Sequence, residues 1–419
     1  MTATQFTSIF LAALLLTTLA RLWLASRHLA HIAAHRAEVP DAFRENIPLA
    51  DHQKAADYTS AKTRFAMFGA LFDAALLVAF TLAGGIQFIA DICAGWFGSP
   101  LVQGVATIVA VLLLSSLLET PFSLYRTFVI EARFGFNKMT LALYLTDALK
   151  SLLLGAVLGL PLLFGVLWLM GRMGEYWWLY VWLAWMAFNL TILFVYPSFI
   201  APLFNKFTPM QDEAMKARIE ALLDKCGFTA KGLFVMDGSK RSAHGNAYFT
   251  GFGKTKRIVF FDTLLERLSG SEVEAVLAHE LGHFKRRHVM KRIAATFAIS
   301  LGFLWLLGQL MQTDWFYLGL GVSTPHSAGL GTALALLLFF MILPIFSFLF
   351  NPLMSAYSRK HEFEADAYAA KQTNATDLAN ALVKLYQDNA ATLTPDPLYS
   401  AFYDSHPPAA VRIARLKAQ

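Results

Sequence analysis

The chain has 419 residues, of which 56% are hydrophobic and 15% charged, against about 45–50% and 25% in an ordinary soluble domain. With a mean hydropathy of +0.49, this excludes a simple water-soluble enzyme and reads as an integral membrane protein. The net charge of +6 does not argue for nucleic acid, because surplus Lys and Arg in a membrane protein mark its cytosolic loops. The two cysteines, Cys93 and Cys226, are too few and too far apart for a disulfide framework or a cysteine metal site.

Seven apolar stretches are long enough to cross a hydrocarbon core of about 30 Å as helices. They fall near residues 7–26, 66–95, 102–125, 149–171, 177–199, 291–312 and 328–352. No basic segment precedes the first and no convincing cleavage site follows it, so it is expected to be a retained helix. Arg27, Arg36, Arg44, Lys54, Lys62 and Arg64 follow the first stretch, and Arg126, Arg133, Lys138 and Lys150 follow the third. The loops near 96–101 and 313–327 have neither Lys nor Arg. The positive-inside rule then puts the N-terminus outside, and residues 200–290 and 353–419 in the cytosol. Asp73 and Glu119 lie inside predicted membrane helices, where a lipid-facing charge costs about 2.5–3.5 kcal/mol on insertion scales. A polar cavity is the expectation for Glu119, and for Asp73 a cavity or a helix-end position serves equally well.

The chemistry concentrates in His279-Glu280-Leu281-Gly282-His283. Positions i and i+4 share a helix face, so His279 and His283 place two imidazoles on one metal ion, with Glu280 beside it as a base. Such a pentapeptide arises by chance in roughly one chain of this length in a hundred, so its context has to decide. A helix is predicted to start at Ser271, where Ser271-Glu272-Val273-Glu274 has a capping-box pattern. Catalytic zinc needs a third protein ligand. His288 is half a turn out of phase if the helix continues, and it is expected at the surface or behind the ligands. Glu362 is the better candidate: with Asp366 it forms an i, i+4 carboxylate pair, one to bind metal and the other to orient a histidine. His361 remains an alternative by spacing, and Glu364 should face elsewhere.

Asn246-Ala247-Tyr248-Phe249 and Arg257-Ile258-Val259-Phe260-Phe261 read as strands joined by a hairpin turn at Gly251-Phe252-Gly253-Lys254. An exposed strand beside a metal helix is a natural holder of an extended peptide.

Taken together, these residues resemble the membrane-embedded M48 metalloproteases, specifically the Ste24-type CAAX prenyl proteases. The resemblance spans nearly the whole chain. It includes residues 121–125, Glu131-Ala132-Arg133-Phe134-Gly135-Phe136-Asn137-Lys138, residues 197–209, Gly245-Asn246-Ala247-Tyr248 and Ser405-His406-Pro407-Pro408. It implies one Zn2+ per chain on His279, His283 and Glu362, with Glu280 as general base and Asp366 behind His279. Asn246, Ala247 and Tyr248 would hold substrate backbone. His406 would steady the oxyanion with help from Arg412. The implied fold is mainly α and multi-pass, with seven transmembrane helices around a large chamber that Glu119 would line. A gluzincin-like zinc domain with a small β-hairpin or sheet sits at the cytosolic side.

The expected division is a five-helix membrane domain over 1–205 and a peptidase domain over 206–419 that contains helices six and seven. Expected partners are the lipid bilayer and a peptide or protein substrate, prenylated at its C-terminus in this family, with no nucleic acid. The Ala- and Leu-rich composition hints at a bacterial member, which would sit in the inner membrane; a eukaryotic one would sit in an endoplasmic-reticulum-type membrane. Competing classes are a quality-control membrane protease of the same clan and a non-catalytic membrane binding protein. The intact Glu280 argues against the latter. A transporter is disfavoured because no internal repeat is found.

Overall fold

The computed structural model describes residues 1–230, 232–250, 257–324 and 328–418. Among them, seven helical spans are long and apolar enough to cross a membrane: Ala3–His35, Leu49–Phe80, Pro100–Glu131, Leu141–Arg172, Gly174–Phe204, His288–Leu310 and Gly329–Gln372. The chain opens with α1 (Ala3–His35), α2 (Leu49–Phe80), α3 (Gly85–Trp96), α4 (Pro100–Tyr125), α5 (Leu141–Arg172) and α6 (Trp177–Val195). The stretch expected as a single span at 66–95 is two helices. The chain turns between them through Gly84 at φ +81, and a Cβ on Gly85 would lie 2.7 Å from the Ala79 carbonyl oxygen. Helix α2 instead reaches span length by extending back to Leu49 through a more polar turn that the hydropathy profile underweights.

The outer surfaces of these helices are apolar, as on α5, which exposes Leu145, Leu149, Leu152, Leu153 and Val157. Hydrocarbon facing lipid needs no protein partner. The charged side chains turn the other way. Asp73 and Glu119 line two neighbouring cavities of about 350 and 560 Å³, the first shared with Arg21 and the second with Lys62 and Arg126. The cavity expected for Glu119 is present, and Asp73 belongs to it as well. Ionisable groups at membrane depth are tolerated where they meet one another and water.

The remainder joins two cores: helices His288–Leu310 and Ala328–Ser347 pack with the membrane helices above, and its other elements pack around a core of their own. It comprises α7 (Glu213–Cys226), α8 (Gly270–Lys285), α9 (His288–Leu310), α10 (Ala328–Ser347), α11 (Asn351–Gln372), α12 (Ala375–Asp388), α13 (Pro397–Tyr403) and α14 (Ala409–Lys417). A mixed four-stranded sheet accompanies them: β1 (Phe207–Pro209), β2 (Leu233–Met236), β3 (Ala247–Thr250) and β4 (Arg257–Phe261), in the order β1-β2-β4-β3. Both expected strands are present and antiparallel, with Ala247 opposite Phe260. Their connection at 251–256, including the expected turn, lies outside the described residues. Strands β1 and β2, too short to show periodicity, were not anticipated. Ile219, Phe260, Val273, Leu277, Leu281, Ala369 and Ile413 are among the buried residues that join sheet and helices, each large side chain contributing about 1.5–3 kcal/mol.

Helix α8 begins two residues earlier than Ser271 suggests. Its capping box is Ser269 with Glu272, whose carboxylate accepts from the Ser269 amide at 2.7 Å. Two motifs noted in the sequence dock this half onto the membrane half. The Phe136 carbonyl accepts from the Ala243 amide at 3.1 Å, and Asn137 bridges to Ser242. Arg241 joins Asp147 at 2.8 Å to Asn205 at 2.9 Å. The segment leading into β3 is thereby held by residues of the membrane half.

Candidate metal centre

Helices α8 and α11 cross at a point where no side chain fits. A Cβ on Gly282 would lie 2.9 Å from the Ala365 Cα, 3.1 Å from its carbonyl oxygen and 3.2 Å from the Tyr368 Cβ. This close approach sets His279 and His283 of one helix against Glu362 and Asp366 of the other. His279 Nε2 is 3.2 Å from His283 Nε2 and 3.4 Å from Glu362 Oε2, and His283 Nε2 is 3.4 Å from Glu362 Oε1. For zinc bonds of about 2.0–2.1 Å, the edge of a tetrahedron is about 3.3–3.4 Å. The two imidazole nitrogens therefore have the spacing of two tetrahedral vertices, and the Glu362 carboxylate straddles them with one oxygen 3.4 Å from each. Glu362 is buried, and its Oε2 has no hydrogen-bond partner in the structure, an arrangement that costs free energy unless a cation serves it.

The same contacts set the protonation of the two rings. Burial works against a charged His279 ring, but the adjacent carboxylates of Asp366 and Glu362 outweigh it and raise its pKa to about 9. His283, buried beside it, is pushed down to about 3 by burial and then by the His279 charge. Both rings ligate in the neutral form, so a bound metal would displace the proton that His279 holds.

Behind His279 stands a carboxylate–arginine pair. Asp366 Oδ1 accepts from His279 Nδ1 at 2.9 Å, and Arg412 donates to both Asp366 oxygens at 2.6 and 2.9 Å. Asp366 and Arg412 are both buried. Fixing Nδ1 in this way selects the tautomer that leaves Nε2 free to bind metal. Arg412 lies behind the ligand, and its Nη1 approaches Glu362 Oε2 only to 3.9 Å.

A cavity of about 360 Å³ opens in front of the cluster, lined by Asn246, Ala247, His279, Glu280, Glu362, Tyr386, His406 and Arg412 among others. Burial pushes the Glu280 carboxyl up, the direction that makes a carboxylate a better base near neutral pH. His406, with 62% of its side chain exposed, puts Nε2 3.6 Å from Glu362 Oε1. Strand β3 is an edge strand of the sheet among the described residues. The Tyr248 side chain does not line this cavity, and its hydroxyl points to Met236 Sδ at 3.9 Å. Asn246 and Ala247 line the cavity, and Tyr248 follows them in β3.

His361 stays out of the donor cluster and stacks on His288 at 4.0 Å. His288, expected at the surface or behind the ligands, is fully buried behind His283, because α8 stops at Lys285 and α9 starts in a new direction. Tyr386 and Asn389 were not anticipated. Tyr386 comes from α12, whose pattern reads only as an amphipathic core helix, and Asn389 caps that helix's C-terminus; no local signal marks them.

Helices long and apolar enough to cross a membrane, joined to a histidine–carboxylate cluster beside a sheet edge, define a multi-pass membrane metallopeptidase. Residues 28–206 match the family described as CAAX prenyl protease N-terminal, five membrane helices, and residues 209–419 match peptidase family M48. CAAX prenyl protease 1 of Saccharomyces cerevisiae is 34% identical over 90% of this chain and 88% of its own. The Homo sapiens homologue is 32% identical over 98% and 95%. The crystal structure of S. mikatae Ste24p superposes with a TM-score of 0.91 at 31% identity, covering 98% of this chain and 99% of that one. The chain belongs to the M48 peptidases of the CAAX prenyl protease 1 family.

Proposed function

We propose that this chain is a zinc metalloendopeptidase that cleaves near the C-terminus of prenylated CAAX-type substrates. His279, His283 and Glu362 hold the zinc. The observation that carries the metal assignment is the buried cluster itself, two imidazole nitrogens 3.2 Å apart with a Glu362 oxygen 3.4 Å from each. The family supports the substrate class. Bound there, zinc would polarise the scissile carbonyl and acidify a water molecule. Asn246 and the edge of β3 hold the peptide in extended form across the cavity. Glu280 takes the proton of the attacking water and delivers it to the leaving amine. His406 donates to the oxyanion as it develops, while Asp366 and Arg412 keep His279 in the ligating tautomer.

We further propose that residues 1–205 form the membrane domain and 206–419 the peptidase domain, with the active site facing the cytosol. The surplus of Lys and Arg in the segments after helices one and three supports that orientation. The membrane is the inner membrane for a bacterial source and the endoplasmic-reticulum type for a eukaryotic one. The basic surplus is assigned to topology and not to nucleic acid.

The test is hydrolysis of farnesylated and non-farnesylated CAAX peptides by purified protein, with and without a chelator. Chelator-sensitive cleavage that favours the farnesylated peptide is expected. Cleavage that survives chelation would refute the zinc assignment, and indifference to the lipid would favour a quality-control protease.

A further inference from the structure

His279 has an evident anchor in Asp366 and Arg412. His283, the other histidine of the pair, has a different one. Its Nδ1 lies 3.0 Å from Nδ1 of His288, and His288 Nε2 lies 3.0 Å from Glu364 Oε2. The His288 side chain is 0% exposed. On its other side it stacks on His361, with ring centroids 4.0 Å apart and planes within 10°. The stack leaves the His288 ring little freedom to turn.

The backbone delivers His288 to this place by an unusual route. Arg287 adopts φ 56, ψ 33, one of two non-glycine residues described with positive φ. Without it, α8 would continue and carry His288 away from His283. A left-handed conformation in an L-residue costs roughly 1–2 kcal/mol, so the surrounding contacts hold the corner against its own preference.

Only one proton fits between two Nδ1 atoms at this separation. Once His283 commits its Nε2 lone pair to the metal side, its Nδ1 carries the hydrogen and His288 Nδ1 must accept it. His288 is then a neutral ring with its hydrogen on Nε2, donated to the Glu364 carboxylate. Each atom in the chain has one permitted role.

We propose that His288 and Glu364 are positioning residues that fix the tautomer and ring orientation of His283, as Asp366 and Arg412 do for His279. Helix α11 thus supplies the ligand Glu362 and the anchors of both histidines, at positions 362, 364 and 366. This inference rests on the assignment of His279, His283 and Glu362 as zinc ligands.

The test measures zinc affinity by chelator competition on purified full-length protein, with thermal unfolding of chelator-stripped protein as the control for folding. His288→Leu fills the space but cannot accept a hydrogen bond, and it should weaken zinc binding about 10–100-fold, the usual effect of losing such a partner. His288→Asn, which offers an amide oxygen near the Nδ1 position, should recover most of that loss. Glu364→Ala should weaken binding less than His288→Leu, and Glu364→Gln should stay near wild type. Because the two residues act in series, His288→Leu/Glu364→Ala should be no weaker than His288→Leu alone. If His288→Leu fails to fold, the two Glu364 variants carry the test, since that side chain is 31% exposed.

Affinities within twofold of wild type for both His288→Leu and Glu364→Ala, with His279→Ala abolishing binding, would overturn this proposal alone. Additive losses in the double variant would overturn the relay. Full zinc binding by His279→Ala would remove the ligand assignment, and this inference with it.

Discussion

Gly282→Ala is the sharpest probe of how the site is built, because the added methyl has nowhere to go. Its nearest neighbours are the Cα and carbonyl of Ala365, at 2.9 and 3.1 Å, and backbone cannot rotate aside. Ordinary carbon–carbon contact is about 3.5–4.0 Å, so α8 and α11 must separate by about 0.6 Å or more. His279 and His283 share a helix and keep their spacing. Glu362, less than a turn from Ala365, moves with the other helix, so the two 3.4 Å donor separations grow towards about 4 Å. Metal sites tolerate about ±0.2 Å in their ligand distances. Binding zinc would have to press the helices together again, so the overpacking cost of about 1–3 kcal/mol falls on the bound state. At about 1.4 kcal/mol per factor of ten, zinc affinity should drop roughly 5–150-fold. Chelator competition measures that directly, and thermal unfolding shows whether the stripped protein still folds. A Gly282→Ala protein that binds zinc with wild-type affinity and turns over normally would show that the crossing does not set the donor spacing.

Other expectations follow from the same geometry. Glu280→Gln should fold and retain zinc but lose at least about 10²-fold in rate, the contribution of a general base, and near-normal turnover by zinc-loaded protein would remove that role. Arg412→Met strips the buried Asp366 of its cation; breaking such a pair costs about 3–5 kcal/mol, and a lower unfolding temperature with weaker zinc binding is expected. Ser269→Ala removes the cap of α8 and should cost about 1 kcal/mol in denaturant unfolding, with little change in the rate per bound zinc.

The ligand pair was legible because helical periodicity alone puts His279 beside His283, and Glu362 beside Asp366. That the two pairs meet is a tertiary fact, signalled in sequence only by Gly282. His288 shows where the pattern misleads. Counting residues along an unbroken helix sends it away, and nothing in Arg286-Arg287 announces a left-handed corner, since that conformation is usually assigned to Gly or Asn. Glu364 does point away from the metal, as its 200° offset predicts. What periodicity omits is that α9 returns to meet it. The merged second span fails for a related reason: hydropathy averages over Gly84 and Gly85, whereas a backbone turn depends on single residues.

The two ligand helices are not free-standing. Helix α8 ends at Lys285 and α9, the sixth membrane span, begins at His288. Helix α11 belongs to the seventh, since the span Gly329–Gln372 is 44 residues long. At 1.5 Å per residue that is about 66 Å, twice what a bilayer core needs, so its polar second half extends beyond the hydrocarbon and delivers Glu362, Glu364 and Asp366. The corner at Arg287 joins metal helix and membrane helix, and His288 occupies it. Any tilt of span six against span seven therefore acts on the relay behind His283 as well as on the ligands. A soluble peptidase domain cut away from these spans would lose α9 and with it His288, the anchor of one of its two histidines. The membrane helices are in this sense part of the metal site.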